Sequence, residues 1–183
     1  MKLFMIMLGC RPRGRFTEQH DIFFGIANSL KDLIPHFSNF WPNAGSIHID
    51  AWREVNAVDN YKIEIVAKGL KSSKNSLFFI NLGGYKENEF EEYHYKIISV
   101  DETLAAAQKK SKQTAFFKHC GFGTNAVSHI DDKFGIDIDD SFNVSEILMP
   151  VFKDNFDIEL TYSEQILTQD ELHIGYVKLT KIK

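Results

Sequence analysis

The chain has 183 residues, 44% of them hydrophobic and sixteen of them Phe, with a formal charge of −4. That composition supplies a substantial core and excludes a disordered chain. The acidic excess and scattered basic residues argue against a nucleic-acid binder, which would turn a positive face to phosphates. No apolar stretch approaches the roughly 20 residues that span a bilayer, so no membrane partner is expected. Cys10 and Cys120 form no CxxC pair and no disulfide scaffold, which fits a reduced, cytoplasmic setting.

Residues 3–8 (LFMIML) read as a buried strand, followed by the turn-rich loop Gly9-Cys-Arg-Pro-Arg-Gly-Arg15. The opening run is read as a strand rather than a leader, because arginines follow it at once and the same run recurs at 77–83. Residues 18–26 favour a second strand. Residues 28–38 place Leu30, Leu33, Ile34 and Phe37 on one face of a helix. A third strand opens at His48, and YKIEIV at 61–66 closes the set as a fourth. Residues 67–76 are polar, contain Gly69 and read as a linker.

The pattern then repeats, with a strand over 77–83, a strand over 92–100 and a helix over 101–114 behind an Asp101 cap. A third strand is expected from HID at 129–131 and a fourth from FNVSEIL at 142–148. LFMIMLG at 3–9 matches LFFINLG at 77–83 at an offset of 74, and HID at 48–50 matches HID at 129–131 at an offset of 81. The expectation is an α+β protein of two tandem related β-β-α-β-β modules, packed as a pseudo-twofold unit because a module of about 70 residues barely buries its own core. Module one is 1–66, the linker 67–76 and module two 77–149. Residues 150–183 form a C-terminal extension whose strands, near 156–162 and 172–179, complete or cover a sheet edge.

The phrases MLGCRPRGR (7–15), EQHDIFFGI (18–26), HIDAWREV (48–55), NLGGY (81–85), YHYK (93–96), TAFFKH (114–119) and SHIDDKFGIDIDD (128–140) carry a resemblance. On them the chain resembles the family catalogued as domain of unknown function 1543, whose members hold one or two copies of the domain. The resemblance implies no reaction, cofactor or catalytic residue.

Alternation along a strand turns Glu18 and His20 to one face, and His48 and Asp50 to one face. Glu92 with His94, and His129 with Asp131, repeat that layout. Were such strands neighbours, imidazoles and carboxylates would gather into a ligand set for a divalent transition metal. Against this, E-x-H and H-x-D spacings are short, and histidines often tie strands by hydrogen bonds. A separate candidate is a ligand-binding group of Arg11, Arg13 and Arg15 with Trp52 and Arg53, whose guanidinium forks suit a small anion. The spacing of a nucleotide P-loop is absent there. Cys10 and Cys120 are weighed as nucleophiles and read as inert.

The leading reading is a binding or structural interaction protein that takes a small anionic ligand. The alternative is a metal-assisted hydrolase using the duplicated Glu/His and His/Asp pairs. A third reading is a homo-oligomer built through Trp52 and terminal strand edges.

Overall fold

The computed structural model describes residues 1–85, 88–111, 113 and 137–182, with the side chains of Tyr85 and Asp137 outside that description. In chain order the strands are β1 (Lys2–Cys10), β2 (Gln19–Ala27), β3 (His48–Glu54), β4 (Ala57–Val58), β5 (Tyr61–Ala67), β6 (Ser76–Tyr85), β7 (Glu92–Asp101), β8 (Asp137–Asn143), β9 (Phe156–Tyr162) and β10 (His173–Lys178). The longer helices are α1 (Ile34–Phe40) and α2 (Leu104–Ser111). The architecture is α+β and rich in sheet. The chain divides into two compact units, Met1–Ser73 with Ile147–Lys183, and Lys74–Glu146. No helix among the described residues is long and apolar enough to cross a membrane.

Unit 1 carries a four-stranded antiparallel sheet in the order β10-β3-β1-β2. β1 is central and almost continuously apolar, which is what a strand with neighbours on both sides requires. Its Phe4, Ile6 and Leu8 are paired with Gly25, Phe23 and Asp21 on β2, and this face receives α1. Phe23 meets Phe37 and Phe40 edge-on, with ring centres at 5.1 and 5.2 Å, and Phe152 at 6.4 Å. Those contacts explain the aromatic spacing of 23, 37 and 40 as core. α1 begins later than its amphipathic pattern predicts, because residues 30–33 form a 3₁₀ turn fixed by Ser29, whose N–H and hydroxyl both donate to Asp32.

The fourth strand behaves differently from the sequence expectation. β5 leaves the first sheet and joins a second one, in the order β4-β5-β9. The β4–β5 hairpin turns on Asp59 and Asn60, both at positive φ, the geometry of a two-residue type I′ turn. β10 pairs along β3, so the C-terminal strands do complete sheets, both within unit 1.

Unit 2 has a three-stranded antiparallel sheet, β7-β6-β8. Phe78, Ile80 and Leu82 of β6 pack with Ala107 of α2, and Tyr93, Ile97, Leu104 and Ile138 close around them. α2 is shorter than predicted: Asp101 ends β7, and the cap is Thr103, whose hydroxyl accepts from the Ala106 N–H at 3.2 Å. FNVSEIL does not form a strand throughout. Strand structure stops at Asn143, whose side chain accepts from Ser145 N–H, and Val144–Ile147 is a helical turn.

The third strand of unit 2 also differs from the expectation. The place beside β6 is taken by Asp137-Ile138-Asp139, with Leu82 opposite Ile138, as Leu8 is opposite Ile49 in unit 1. His129-Ile130-Asp131 lies outside the described residues. Both triplets alternate polar-apolar-polar, so either satisfies the pleat, and the one paired with β6 is Asp137-Ile138-Asp139.

Candidate functional site

Gly9 is the floor of the candidate site. It sits on the central strand with His48 opposite on β3 and His20 opposite on β2, so all three share one face of the sheet. Glu18, just before β2 and two residues from His20, reaches the same place. Asp50 arrives by another device. β3 is bulged there, since Met7 pairs with Ala51 and Leu8 with Ile49, leaving Asp50 as the unpaired extra residue. A bulge re-aims a side chain, and this one brings the Asp50 carboxylate in beside His48.

The resulting distances are short. His48 Nε2 is 2.7 Å from Glu18 Oε1 and 3.2 Å from Asp50 Oδ2, and His20 Nε2 is 3.3 Å from the same Asp50 oxygen. One donor atom each from Glu18, His48 and Asp50 lies within 4.8 Å of both others. His20 joins this group only through Asp50. His48 is 7% exposed, and neither its Nε2 nor Asp50 Oδ2 completes a hydrogen bond among the described residues. The approach of the carboxylate oxygens to His48 Nε2 is close but not aligned as a hydrogen bond, and the donor atoms are near enough together to share one cation. A Cβ on Gly9 would collide with both the Asp50 carboxylate and the His48 ring, so the missing side chain opens the space that the donors surround.

Unit 2 repeats part of this plan: by register His94 corresponds to His20 and Asp139 to Asp50, while Asp137 stands where unit 1 has His48. Gly83 is opposite His94 on β7 and opposite Asp137 on β8, and a Cβ on it would strike the Asp139 carboxylate. β8 is bulged at Asp139, between Ile138 opposite Leu82 and Asp140 opposite Asn81. His94 Nε2 lies 3.2 Å from Asp139 Oδ2 and 3.8 Å from Glu92 Oε2, and donor atoms of the three lie within 4.8 Å of one another. This group is exposed where its counterpart has a buried imidazole. Asn81 Oδ1, on the same face, is buried without a hydrogen bond among the described residues.

A two-carboxylate, one-imidazole set suits zinc, manganese or iron, and three protein ligands leave coordination positions for water or substrate. The sequence pairs Glu18/His20, His48/Asp50 and Glu92/His94 are thus gathered as two separate groups. Asp139 was missed. Its signal was present in the D-I-D alternation but was hidden by the closer literal match at 129–131. His129 and Asp131, assigned to the second group from sequence, lie outside the described residues.

The arginine candidates are not one constellation. Arg11, Arg13 and Arg15 are exposed on the connection between β1 and β2, and none of their side chains has an ion pair or hydrogen bond to another described residue. Arg53 pairs with Met5, six residues back along the strand from Arg11, roughly 20 Å at about 3.3 Å per residue. It is half-buried against the Met5 sulfur at 3.8 Å, and burial pulls its guanidinium below the usual value while Asp170 opposes that shift. Because of the bulge, Trp52 falls on the opposite face, in register with Ile6, where His173 stacks on it at 3.8 Å and 11°. Tyr176, also unforeseen, lies over the His48 ring at 4.4 Å. Gly175, at φ +132, allows the turn in β10 that puts it there.

Cys10 is buried, and burial first, then the charge of Glu18, pushes its thiol up from the ordinary value. A raised thiol is a poor nucleophile at neutral pH, so the inert reading fits. Cys120 lies outside the described residues.

No curated protein matches the chain. Over its fold the chain is similar to a solved structure, the crystal structure of protein Il1583 from Idiomarina loihiensis, at a TM-score of 0.64 and 19% identity, with 97% of each chain covered. Residues 15–65, which hold Glu18, His20, His48 and Asp50, match the model of the family described as Domain of Unknown Function (DUF1543), in support of the family resemblance drawn from the sequence.

Proposed function

We propose that this protein binds a divalent transition metal, held in unit 1 by Glu18, His48 and Asp50 with His20 behind Asp50. The observation that carries this reading is the buried His48 Nε2, which faces two carboxylate oxygens and completes no hydrogen bond. A buried polar atom left in that state costs roughly 1–3 kcal/mol, and a cation shared by these atoms removes the cost. Of the two sequence readings, this geometry favours the metal over an anion site made by the arginines with Trp52 and Arg53.

The recurrence of glycine floor, opposed histidine and bulged aspartate supports a further part of the proposal, that the two units are copies of one module. Glu92, His94 and Asp139 then form a second, more exposed site. Metal-assisted hydrolysis is the reaction class that three protein ligands with open positions would serve.

The test is elemental analysis of untagged protein purified without chelator, followed by calorimetric titration with zinc and manganese. Metal should be retained in near-stoichiometric amount. His48→Ala should weaken binding by at least about 10- to 100-fold, a loss that even outer-shell substitutions cause. A folded wild-type protein that takes up no metal after reconstitution would sink the proposal.

A further inference from the structure

We infer that the unit 1 site takes a small phosphate-bearing substrate, its phosphoryl group lying between the cation and the β1–β2 hairpin that carries Arg11, Arg13 and Arg15. This rests on the metal reading above and adds the class of molecule that the site accepts.

The topology supplies the first reason. β1 ends at Cys10, opposite Gln19, so residues 11–18 leave the sheet next to the glycine floor and return as Glu18, a donor of the site. The arginines therefore ride on the same hairpin that builds the cation site. That hairpin is ordered by a turn in which Arg15 N–H donates to Pro12 O at 3.1 Å and Gly14 sits at φ +82, the left-handed third position of a type II turn.

Charge supplies the second. Elsewhere in unit 1, Lys2, Lys62 and Lys68 each hold a carboxylate at 2.8 to 2.9 Å, while the unit's other lysines are spread over the chain rather than grouped in one hairpin. The three arginines hold none among the described residues, although the chain as a whole is acidic. Three like charges within five residues of chain repel one another, and an anion relieves this. A divalent cation neutralises Glu18 and Asp50, so the arginine charge remains for the substrate. Guanidinium forks match a phosphate dianion in both charge and geometry.

The third reason is the contrast with unit 2. There the corresponding hairpin presents Glu89 and Glu91, with Glu89 accepting from the Tyr93 hydroxyl. Acidic side chains repel phosphate, so among the described residues of that hairpin none offers phosphate a positive charge. Tyr176 adds to the asymmetry, since β10 places it as a wall over His48 within unit 1.

The experiment titrates inorganic phosphate, and acetate as a carboxylate comparator, into the full chain loaded with manganese, after metal uptake has been measured. Wild type should bind phosphate in preference to acetate. The triple variant Arg11→Ala/Arg13→Ala/Arg15→Ala should take up metal as wild type does and lose phosphate affinity by at least about tenfold, as expected for charge-assisted bonds. Lys62→Ala, which removes a positive charge on β5 away from the hairpin, should bind phosphate normally. Metal uptake without phosphate binding overturns this inference alone, as does undiminished phosphate binding by the triple variant or equal binding of acetate. Absence of metal uptake overturns the metal reading, and this inference with it.

Discussion

Gly9 lies in ordinary extended backbone rather than in the left-handed region, so conformation does not require glycine there. Space requires it: the smallest added side chain would collide with Asp50 Oδ2 and His48 Nε2, two of the three donors of the site. Gly9→Ala is therefore expected to leave a folded protein whose unit 1 metal affinity drops by tenfold or more, read by calorimetry alongside a circular-dichroism melt. Full affinity in a folded Gly9→Ala protein would show that the cradle is incidental. Gly83→Ala should reproduce the effect in unit 2 only. That both glycines stand in the repeated L-G phrase was legible in the sequence. That they are floors of sites was not, because the neighbours that make them so come from other strands.

At the scale of elements, the connection after β5 is held by carboxylates of β9. Asp157 accepts from Lys68 Nζ at 2.9 Å and from Gly69 N–H at 2.7 Å, and Glu159 accepts from Ser72 N–H at 2.6 Å and Ser73 N–H at 3.1 Å. The Lys68 hydrogen bond is the main cause that holds Asp157 below its ordinary value. For Glu159 burial pulls upward, but the bonds from Ser72 and Ser73 outweigh it and the net shift is down. A carboxylate with a depressed folded value stabilises the fold above its unfolded value, about 4, and that stability fades as pH falls through the folded value. Denaturant titration should thus find Asp157→Asn/Glu159→Gln about 2 kcal/mol less stable than wild type at pH 7, with a smaller gap once the pH is taken below about 4. An equal gap at both pH values would remove the carboxylates from this role. The linker composition of 67–76 was readable; its anchoring was not, since residues almost ninety positions away provide it.

At the scale of the whole molecule, two units with their own cores predict two independent metal sites. Titration should resolve two classes, the unit 1 class tighter because its imidazole is buried and held under Tyr176. His94→Ala should abolish the weaker class and leave the tighter within about 0.5 kcal/mol, the additivity of sites that share no partner. Coupled loss of both classes in the folded variant would show that the sites are linked.

The sequence by itself determined the local grammar: apolar strands, the repeated L-G phrase, the helix near Phe37, and the pairing of Glu18 with His20 on one face. These follow from short-range periodicity, which each segment carries alone. Tertiary structure decided the rest. It sent β5 to a second sheet, turned Trp52 away from the His48 face by a single bulge, and brought Asp139 beside His94. Register and bulges depend on how separate strands satisfy one another's backbone hydrogen bonds, and one residue of slip reverses every side chain beyond it. A linear reading can name the donors, but only the paired sheet says which of them meet.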